Sequence, residues 1–377
     1  MFKQLFKEII LSSPFLIQRA KDYLIKKGEI VEYKEHVKAI DNADKVYLEV
    51  PIDRQLKIGI VKDMVFKGDS KYIYTRSYYP KYERFLRSNN LGYEFYDVTA
   101  HDWIEKAKDL DIIIWHTPSD PNTQKVAKSK IYILDKVLGK RCLPSFDEIW
   151  GYEDKINAHY LYQCYNLPEI PTFVSHNKED IMEYISKTRF PIISKLSTGS
   201  ASFGVEKLNS KREASKLVNQ VFSDKGHKTY FAFERQKNYV YFQEFIDDAT
   251  FDLRIITIGN KAFGYYRFPN KGDFRASGAG NYAKKEIPVE ALDLAFNVKK
   301  AYGATCLATD LLYSEKNKSY YIIESSIFFG VDTSRQLELN GIAGFYKQEC
   351  IGNYTFVEGE FWVQELTLKE VIEEFIS

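Results

Sequence analysis

The residues with the clearest chemical potential are two acids in neighbouring strand-like segments. Asp310 lies in TDLLYS and Glu324 in SYYIIESS, and the polar turn EKNK joins the two segments. If they pair as antiparallel strands, the two carboxylates come within reach of each other on one face. Two carboxylates among Leu, Ile and Tyr are costly unless a positive group lies between them, and Mg²⁺ suits that place because it takes oxygen ligands. The alternative is that one acid faces solvent on a half-exposed sheet.

Lys195 is a second residue with clear chemical potential. It ends an apolar strand and precedes a loop rich in Gly and Ser. The stretch PIISKLSTGSASFGV runs from Pro191 to Val205. Such a loop lets backbone N–H groups approach phosphate oxygens without interference from Cβ atoms, and the lysine adds a positive charge. An ordinary hairpin turn is the alternative.

Three arginines lie near small residues or inside an apolar strand. Arg267 and Arg275 belong to RFPNKGDFRASGAGN, where Lys271 adds another cation. Such a cluster can bind a transferring phosphoryl group or an acyl phosphate, because arginine makes bidentate contacts. A solvated basic loop is the alternative. Arg254 lies within FDLRIITIG, and an arginine buried there needs an anionic partner.

The first elements that would position these groups lie between Lys57 and Ser145. Apolar strands alternate with helices there, which predicts a parallel sheet covered on both faces. Ligands of such sheets bind beyond the carboxyl ends of the strands, where His116, Thr117 and Ser119 are expected. No G-x-G-x-x-G follows the first strand, which argues against a dinucleotide site.

After Phe146 the pattern changes, and helices are followed by hairpins. FDLRIITIGNKAFGYYRF predicts a hairpin with its turn at Gly259 and Asn260, and TYFAFERQKNYVYFQEFI reads as strand. Helical segments are predicted to close the chain. The absence of repeats and low-complexity linkers indicates that the parts pack together.

Composition excludes several classes of protein. The chain has 377 residues and a net charge of +1, which argues against a nucleic-acid partner. No run of 18 apolar residues is present, so no transmembrane segment is expected. The N-terminus predicts an amphipathic helix that docks on the body of the protein, with binding to a membrane surface as the alternative. The four cysteines are widely separated, which is typical of reduced thiols in a cytoplasmic protein.

Taken in order, these motifs resemble those of the ATP-grasp superfamily. The order is Lys155, Lys195 with its loop, QEFI, DLR, the arginine-rich loop, and the Asp…Glu pair. The resemblance covers about residues 146–330 and comes closest to the branch of glutathione synthetase-like and ribosomal-protein glutamate ligases, where K-P-x-x-G-x-x-G-x-G-V, Q-E-[FY]-I, D-x-R, G-D-F-R and D…E-x-N occur.

The resemblance implies a role for each motif. The residues implied to bind ATP, through its phosphates, adenine and ribose, are Lys155, Lys195, Gly199, Ser200, Ser202, Gly204, Gln243, Glu244, Phe245, Ile246 and Asp252. The residues implied to face the γ-phosphate and an acyl phosphate are Arg254, Arg267 and Arg275. The implied Mg²⁺ ligands are Asp310, Glu324 and Ser326.

The fold implied by the resemblance is of the α/β (α+β) class. An N-terminal helical extension would cover residues 1–55 and a Rossmann-like pre-ATP-grasp domain with a parallel sheet residues 56–145. The ATP-grasp domain would cover residues 146–377, divided into a lid or central subdomain, 146–240, and a C-terminal subdomain, 241–377.

The implied activity is ATP-dependent ligation of a carboxylate to an amine through an acyl phosphate, which forms an amide and releases ADP and phosphate. The partners would be a small-molecule, peptide or saccharide carboxylate and an amine, in a cytoplasmic protein that could be a homodimer. Two departures from the pattern are Leu196 in place of Pro and Ser326 in place of Asn. Because a hydroxyl is a weaker ligand than an amide oxygen, one of the usual two metal ions is expected to bind loosely. The alternatives are a small-molecule kinase and a nucleotide-binding protein without catalysis.

Overall fold

The computed structural model describes residues 40–50, 52, 55–62, 77–199, 204–229, 231 and 233–377. The predicted amphipathic helix at the N-terminus lies outside the described residues, as do Ser200 and Ser202 of the glycine-rich loop. The first sheet is parallel, as predicted, with strand order β2-β1-β3-β4. Its strands are β1 (Ile58–Val61), β2 (Tyr93–Phe95), β3 (Ile112–Trp115) and β4 (Arg141–Leu143).

Helices cover this sheet because its central strands are apolar on both sides. All four residues of β1 and of β3 are buried, which is typical of a parallel strand. The helices of this part of the chain are α1 (Tyr79–Ser88), α2 (Trp103–Lys108), α3 (Pro121–Tyr132), which continues as a π-helical turn (Ile133–Val137), and α4 (Phe146–Trp150). Ser145 caps α4 in a capping box with Glu148, so the change of pattern predicted at residue 146 coincides with a helix start.

The second sheet is antiparallel and has its own small core. Its order is β5-β10-β6-β7, and its strands are β5 (Thr172–Ser175), β6 (Ile192–Lys195), β7 (Val205–Leu208) and β10 (Val240–Glu244). The core beneath it is formed by strand residues and by the apolar faces of α6 (Lys178–Lys187) and α7 (Lys211–Val221). Helix α5 (Lys155–Cys164) leads into this unit, and the short strands β8 (His227–Lys228) and β9 (Arg235–Gln236) form a separate pair.

The third sheet is the largest and shares one hydrophobic core with the first. Its main order is β15-β14-β11-β12-β17-β16, with β13 paired to β12 and β18 paired to β17. The strands are β11 (Asp252–Ile258), β12 (Lys261–Phe268), β13 (Asn281–Ala283), β14 (Cys306–Ser314), β15 (Ser319–Ser326), β16 (Glu338–Leu339), β17 (Ile342–Cys350) and β18 (Asn353–Glu358). Helices α8 (Val289–Tyr302) and α9 (Val363–Ile376) accompany it.

Two predicted hairpins are confirmed, and the predicted helical close of the chain is wrong for residues 338–358. The β11–β12 turn falls at Gly259, where φ is +52°, and the EKNK turn joins β14 to β15. The predicted helical close begins instead with the β17–β18 hairpin, whose turn uses Gly352 at φ +78°. Aromatic contacts across these strands, such as that of Tyr346 with Phe356, favour strand over helix. Within TYFAFERQKNYVYFQEFI, which was predicted as strand, the described residues include the strands β9 and β10.

A buried ion pair joins helix α9 to helix α1. Arg84 on α1 donates to Glu365 on α9 across 2.6 Å, and both side chains are buried. Within the described part of the chain, no helix is long and apolar enough to cross a membrane.

Candidate functional site

A cavity of about 340 Å³ lies between the second and third sheets. Strands β6, β7 and β10 form one wall, and β11, β12, β14 and β15 form the other. The predicted site residues that line it are Lys155, Lys195, Gly199, Gln243, Glu244, Phe245, Ile246, Asp252, Arg267, Arg275, Asp310 and Glu324. Residues up to 169 positions apart in the sequence, Lys155 and Glu324, therefore meet in one open site.

Of the predicted site residues that the structure describes, three do not line the cavity. Arg254 is behind Asp310, Gly204 closes the loop against the backbone of Leu196, and Ser326 donates its hydroxyl to the carbonyl oxygen of Phe328 across 2.5 Å. Gly204 has φ +72°, a conformation that L side chains rarely adopt, so glycine is required there for the loop to close.

The sequence interpretation missed an apolar wall of the cavity. Its members are Ile170, Ile193, Val205, Leu312 and Ile323. Strand alternation was the available signal for two of them. Ile193 lies two residues before Lys195, and Leu312 lies two residues after Asp310, so each shares a strand face with a charged residue already identified.

The two lysines have different surroundings. Lys155, at the start of α5, donates to the carbonyl oxygen of Gly199 across 2.5 Å, and its ammonium lies 3.6 Å from Glu324. Lys195, at the end of β6, is buried, and among the described residues no carboxylate lies within 4 Å of it. Burial lowers the pKa of Lys195 to about 8, although the negative charge of Glu324 acts in the opposite direction. An anionic ligand would supply the missing charge partner.

The residues just before Lys155 hold the base of the glycine-rich loop. Glu153 accepts a hydrogen bond from the backbone N–H of Gly199 at 3.3 Å, and Asp154 accepts one from the hydroxyl of Ser197 at 2.7 Å. Burial raises the pKa of Glu153 to about 7, against the effect of Lys155. Nothing in the sequence pattern had singled out Glu153, because its role depends on its backbone φ of +51°.

Two arginines and two aspartates form a buried cluster on the third sheet. Asp310 accepts two hydrogen bonds of 2.7 Å from Arg254 and a third, of 2.6 Å, from Arg267, and Arg267 also donates to Asp252. The strand register explains the cluster, since Arg254 pairs with Asp310 across one ladder and Asp252 with Arg267 across the other. Burial would raise the pKa of Asp310, but the charges of the two arginines outweigh it and keep that pKa well below its usual range. The anionic partner expected for Arg254 is therefore Asp310.

Glu324 lies directly opposite Asp310, as the hairpin predicted, but through a β-bulge. Asp310 pairs with Glu324 while Leu311 pairs with Ile322, so Ile323 is an extra residue on β15. Both Ile323 and Glu324 consequently line the cavity.

The predicted magnesium ligands differ in how well they fit such an ion. The side chain of Glu324 is 36% exposed and has an oxygen facing the cavity, so it fits. Asp310 does not fit as arranged, because the arginines engage both of its oxygens. In the part of the chain that the structure describes, no group of three or more His, Cys, Asp and Glu side chains is arranged to bind a metal ion.

Arg275 is the most exposed of the three predicted arginines. Its guanidinium forms two hydrogen bonds with the carboxylate of Asp273, at 3.1 and 3.0 Å, and its side chain is 44% exposed. The neighbouring Phe274 packs edge-on against Phe245 at 5.7 Å, and the ammonium of Lys207 lies 3.7 Å from the ring centroid of Phe245. The arginine-rich loop thus contacts the QEFI segment at the cavity mouth.

Comparison with known proteins agrees with this arrangement. The RimK-like ATP-grasp domain profile matches residues 152–342, which is more than half of the chain and includes both lysines and the Arg–Asp cluster. The chain belongs to the RimK-like ATP-grasp family. The predicted ATP-grasp fold is thereby confirmed.

Two curated relatives of this ATP-grasp protein are alpha-aminoadipate–LysW ligases LysX. The one from Saccharolobus solfataricus is 30% identical over 176 residues, which are 46% of this chain and 60% of the relative. The one from Sulfurisphaera tokodaii is 24% identical over 238 residues, 61% of this chain and 77% of the relative. The match therefore spans less than two thirds of the first relative's length. Among solved structures, D-cycloserine synthetase DcsG superimposes with a TM-score of 0.53 at 13% identity, covering 85% of this chain and all of that chain, which shows a shared fold.

Proposed function

We propose that this protein is an ATP-dependent carboxylate–amine ligase that works through an acyl phosphate. The observation that carries the proposal is one cavity in which two lysines on one wall face a buried Arg–Asp cluster on the other. The relatives named as ligases support the same reaction class. Cytoplasmic location and a homodimeric state stay predictions.

The nucleotide would lie between the two sheets. Backbone donors and acceptors of Gln243–Ile246 suit the adenine edge, and the apolar wall formed by Ile170, Ile193 and Leu312 suits its faces. Lys155 and Lys195 would bind the phosphates, and the buried ammonium of Lys195 would gain the anionic partner that the protein does not supply. Asp252 would lie near the ribose.

The proposed chemical step uses the charged residues of the cavity, above all Arg267 and Arg275. A carboxylate oxygen of the substrate would form a bond to the γ-phosphorus as the bond to the β–γ bridging oxygen breaks, giving an acyl phosphate and ADP. The amine nitrogen would then form the C–N bond as the C–O bond to phosphate breaks, releasing phosphate and a proton. Arg267 and Arg275 would stabilise the oxyanions, and Arg254 would help to keep Arg267 in place through their shared carboxylate, Asp310. A magnesium ion bound by Glu324 would supply charge neutralisation at the phosphates.

The test is ADP release with pools of carboxylates and amines, followed by trapping. With a true carboxylate substrate, hydroxylamine in place of the amine should yield a hydroxamate. A stable phospho-alcohol without hydroxamate would favour the kinase alternative, and tight ATP binding without turnover on any pool would favour a non-catalytic nucleotide-binding protein.

A further inference from the structure

One of the acids expected to bind metal is already fully engaged by arginines. Asp310 accepts from the Nε of Arg254 with one oxygen, and its other oxygen accepts from a terminal nitrogen of Arg254 and from one of Arg267. The Asp310 side chain is only 8% exposed. Its two oxygens therefore have three charge-assisted donors inside the protein and little contact with solvent.

A divalent cation at Asp310 would have to compete with these donors. It would either displace a guanidinium from a buried pair or lie beside two like charges at short distance, and both are costly in a buried site. Arg267 is also restrained by Asp252, to which it donates, so it cannot turn away without breaking a second buried pair.

Glu324 is in the opposite situation. Its side chain is 36% exposed, it lines the cavity, and the Lys155 ammonium beside it is 3.6 Å away, beyond hydrogen-bond distance. A carboxylate with access to water can ligate a divalent cation whose remaining ligands are phosphate oxygens and waters. Glu324 is thus available as a metal ligand at this end of the cavity.

We propose that this chain binds one divalent cation per bound nucleotide, with Glu324 as its carboxylate ligand, and that Asp310 orients Arg254 and Arg267 instead of ligating metal. The inference rests on the proposed nucleotide site. Asp310 is by this account a positioning residue that holds Arg267, which lines the cavity, in place.

The experiment counts metal ions directly. The full chain is saturated with the non-hydrolysable analogue AMP-PNP, and bound Mn²⁺, used in place of Mg²⁺, is measured by equilibrium dialysis and electron paramagnetic resonance. One Mn²⁺ is expected per bound AMP-PNP. Glu324→Gln should weaken the binding of that Mn²⁺ at least tenfold, since even the loss of an outer-shell partner of a metal ligand typically costs about 10–100-fold in affinity. Arg254→Gln should free an oxygen of Asp310 and allow a second Mn²⁺ to bind. Arg212→Gln, the same substitution at an exposed position of α7 that does not line the cavity, should leave the count at one.

The outcomes that overturn the inference are distinct from those that overturn the proposed function. Two Mn²⁺ ions of similar affinity beside one AMP-PNP in the unaltered chain would overturn the inference alone. Loss of the single Mn²⁺ in Asp310→Asn, with AMP-PNP still bound, would do the same. Failure to bind AMP-PNP at all would overturn the proposed function and the inference with it. The count in the unaltered chain decides the matter even if Arg254→Gln does not fold.

Discussion

Lys155 donates to the carbonyl oxygen of Gly199 across 2.5 Å, so a lysine expected at a phosphate already contacts the first glycine of the expected phosphate loop. The backbone N–H of Gly199 is in turn bonded to Glu153, two residues before the lysine. Nucleotide binding would therefore exchange one acceptor of the Lys155 ammonium for another, close to its present position.

The first prediction concerns this lysine. Lys155→Met should weaken ATP binding by about 10–100-fold, since a hydrogen bond to a charged group contributes about 1.5–3 kcal/mol. Isothermal titration calorimetry with Mg-ATP measures the change. Lys128→Met is a suitable control, because Lys128 donates to the carbonyl oxygen of Trp150 and does not line the cavity. Equal weakening by both variants would contradict a direct phosphate contact.

The second prediction is a pH dependence set by Lys195. Burial lowers its pKa to about 8 from 10.5, so the free protein loses this charge as the pH rises through about 8. ATP affinity should fall from about pH 7 to about pH 9. The stability contribution has the opposite sign, because between these two pKa values the unfolded chain binds a proton that the folded chain does not, and stability rises with pH.

Calorimetric titrations across this pH range, with melting temperatures recorded in parallel, would separate the two effects. Lys195→Arg keeps its charge and should show a flatter dependence of ATP affinity on pH. If that variant loses affinity with the same midpoint, another group is responsible.

The third prediction concerns the arginine-rich loop. Arg275→Lys keeps the charge but loses the bidentate fork, so kcat should fall by about 10²–10³-fold, the scale for one preorganised donor, while ATP affinity changes little. Steady-state kinetics with an identified substrate pair would measure kcat, and the KM for ATP would report any change in ATP affinity. Asp273→Asn is the paired variant, because it removes the carboxylate that now holds the Arg275 guanidinium. A parallel loss of ATP affinity in Arg275→Lys would assign Arg275 to nucleotide binding instead of the chemical step.

The fourth prediction tests the close approach of Gly204, at the end of the glycine-rich loop, to the side chain of Leu196. A Cβ on Gly204 would lie 2.4 Å from Cδ1 of Leu196, and φ there is +72°. Gly204→Ala should therefore destabilise the protein by the strain of a left-handed residue, about 1–2 kcal/mol, plus about 1–3 kcal/mol for overpacking. Gly139→Ala is the matched control, since φ is +64° and no atom lies within 4 Å of its Cβ. Similar urea midpoints for the two variants would show that Leu196 moves aside freely.

The sequence allowed the parts of the site that depend on local pattern to be predicted. The pairing of Asp310 with Glu324 could be expected because a short polar turn brings two apolar strands together. The hairpin turn at Gly259 could be expected for the same reason, because Gly259 and Asn260 separate two apolar strands.

Other parts of the site depend on long-range register or on backbone conformation. Arg254, Asp310 and Arg267 meet only because three strands align, and no local pattern fixes that alignment. The contact of Glu153 with Gly199 depends on an unusual backbone conformation at Glu153. These features belong to the assembled sheets and not to any one segment. The sequence therefore did not predict that Arg254 and Arg267 both bind the carboxylate of Asp310.

The bulge at Ile323 means that residue count, and not only residue type, determines where the Glu324 carboxylate lies. Continued without interruption from the EKNK turn, the ladder would pair Ile323 with Asp310 and Glu324 with Thr309. Glu324 would then share the opposite, buried face with Thr309 and leave the cavity without its exposed acid. A relative that lacked one residue at this point could therefore keep its carboxylate in the cavity simply by losing the bulge, whereas a second inserted residue would turn the same glutamate away. Alignments of this hairpin should be judged by the number of residues between the two acids and by whether a bulge is present, as well as by the identity of the acids.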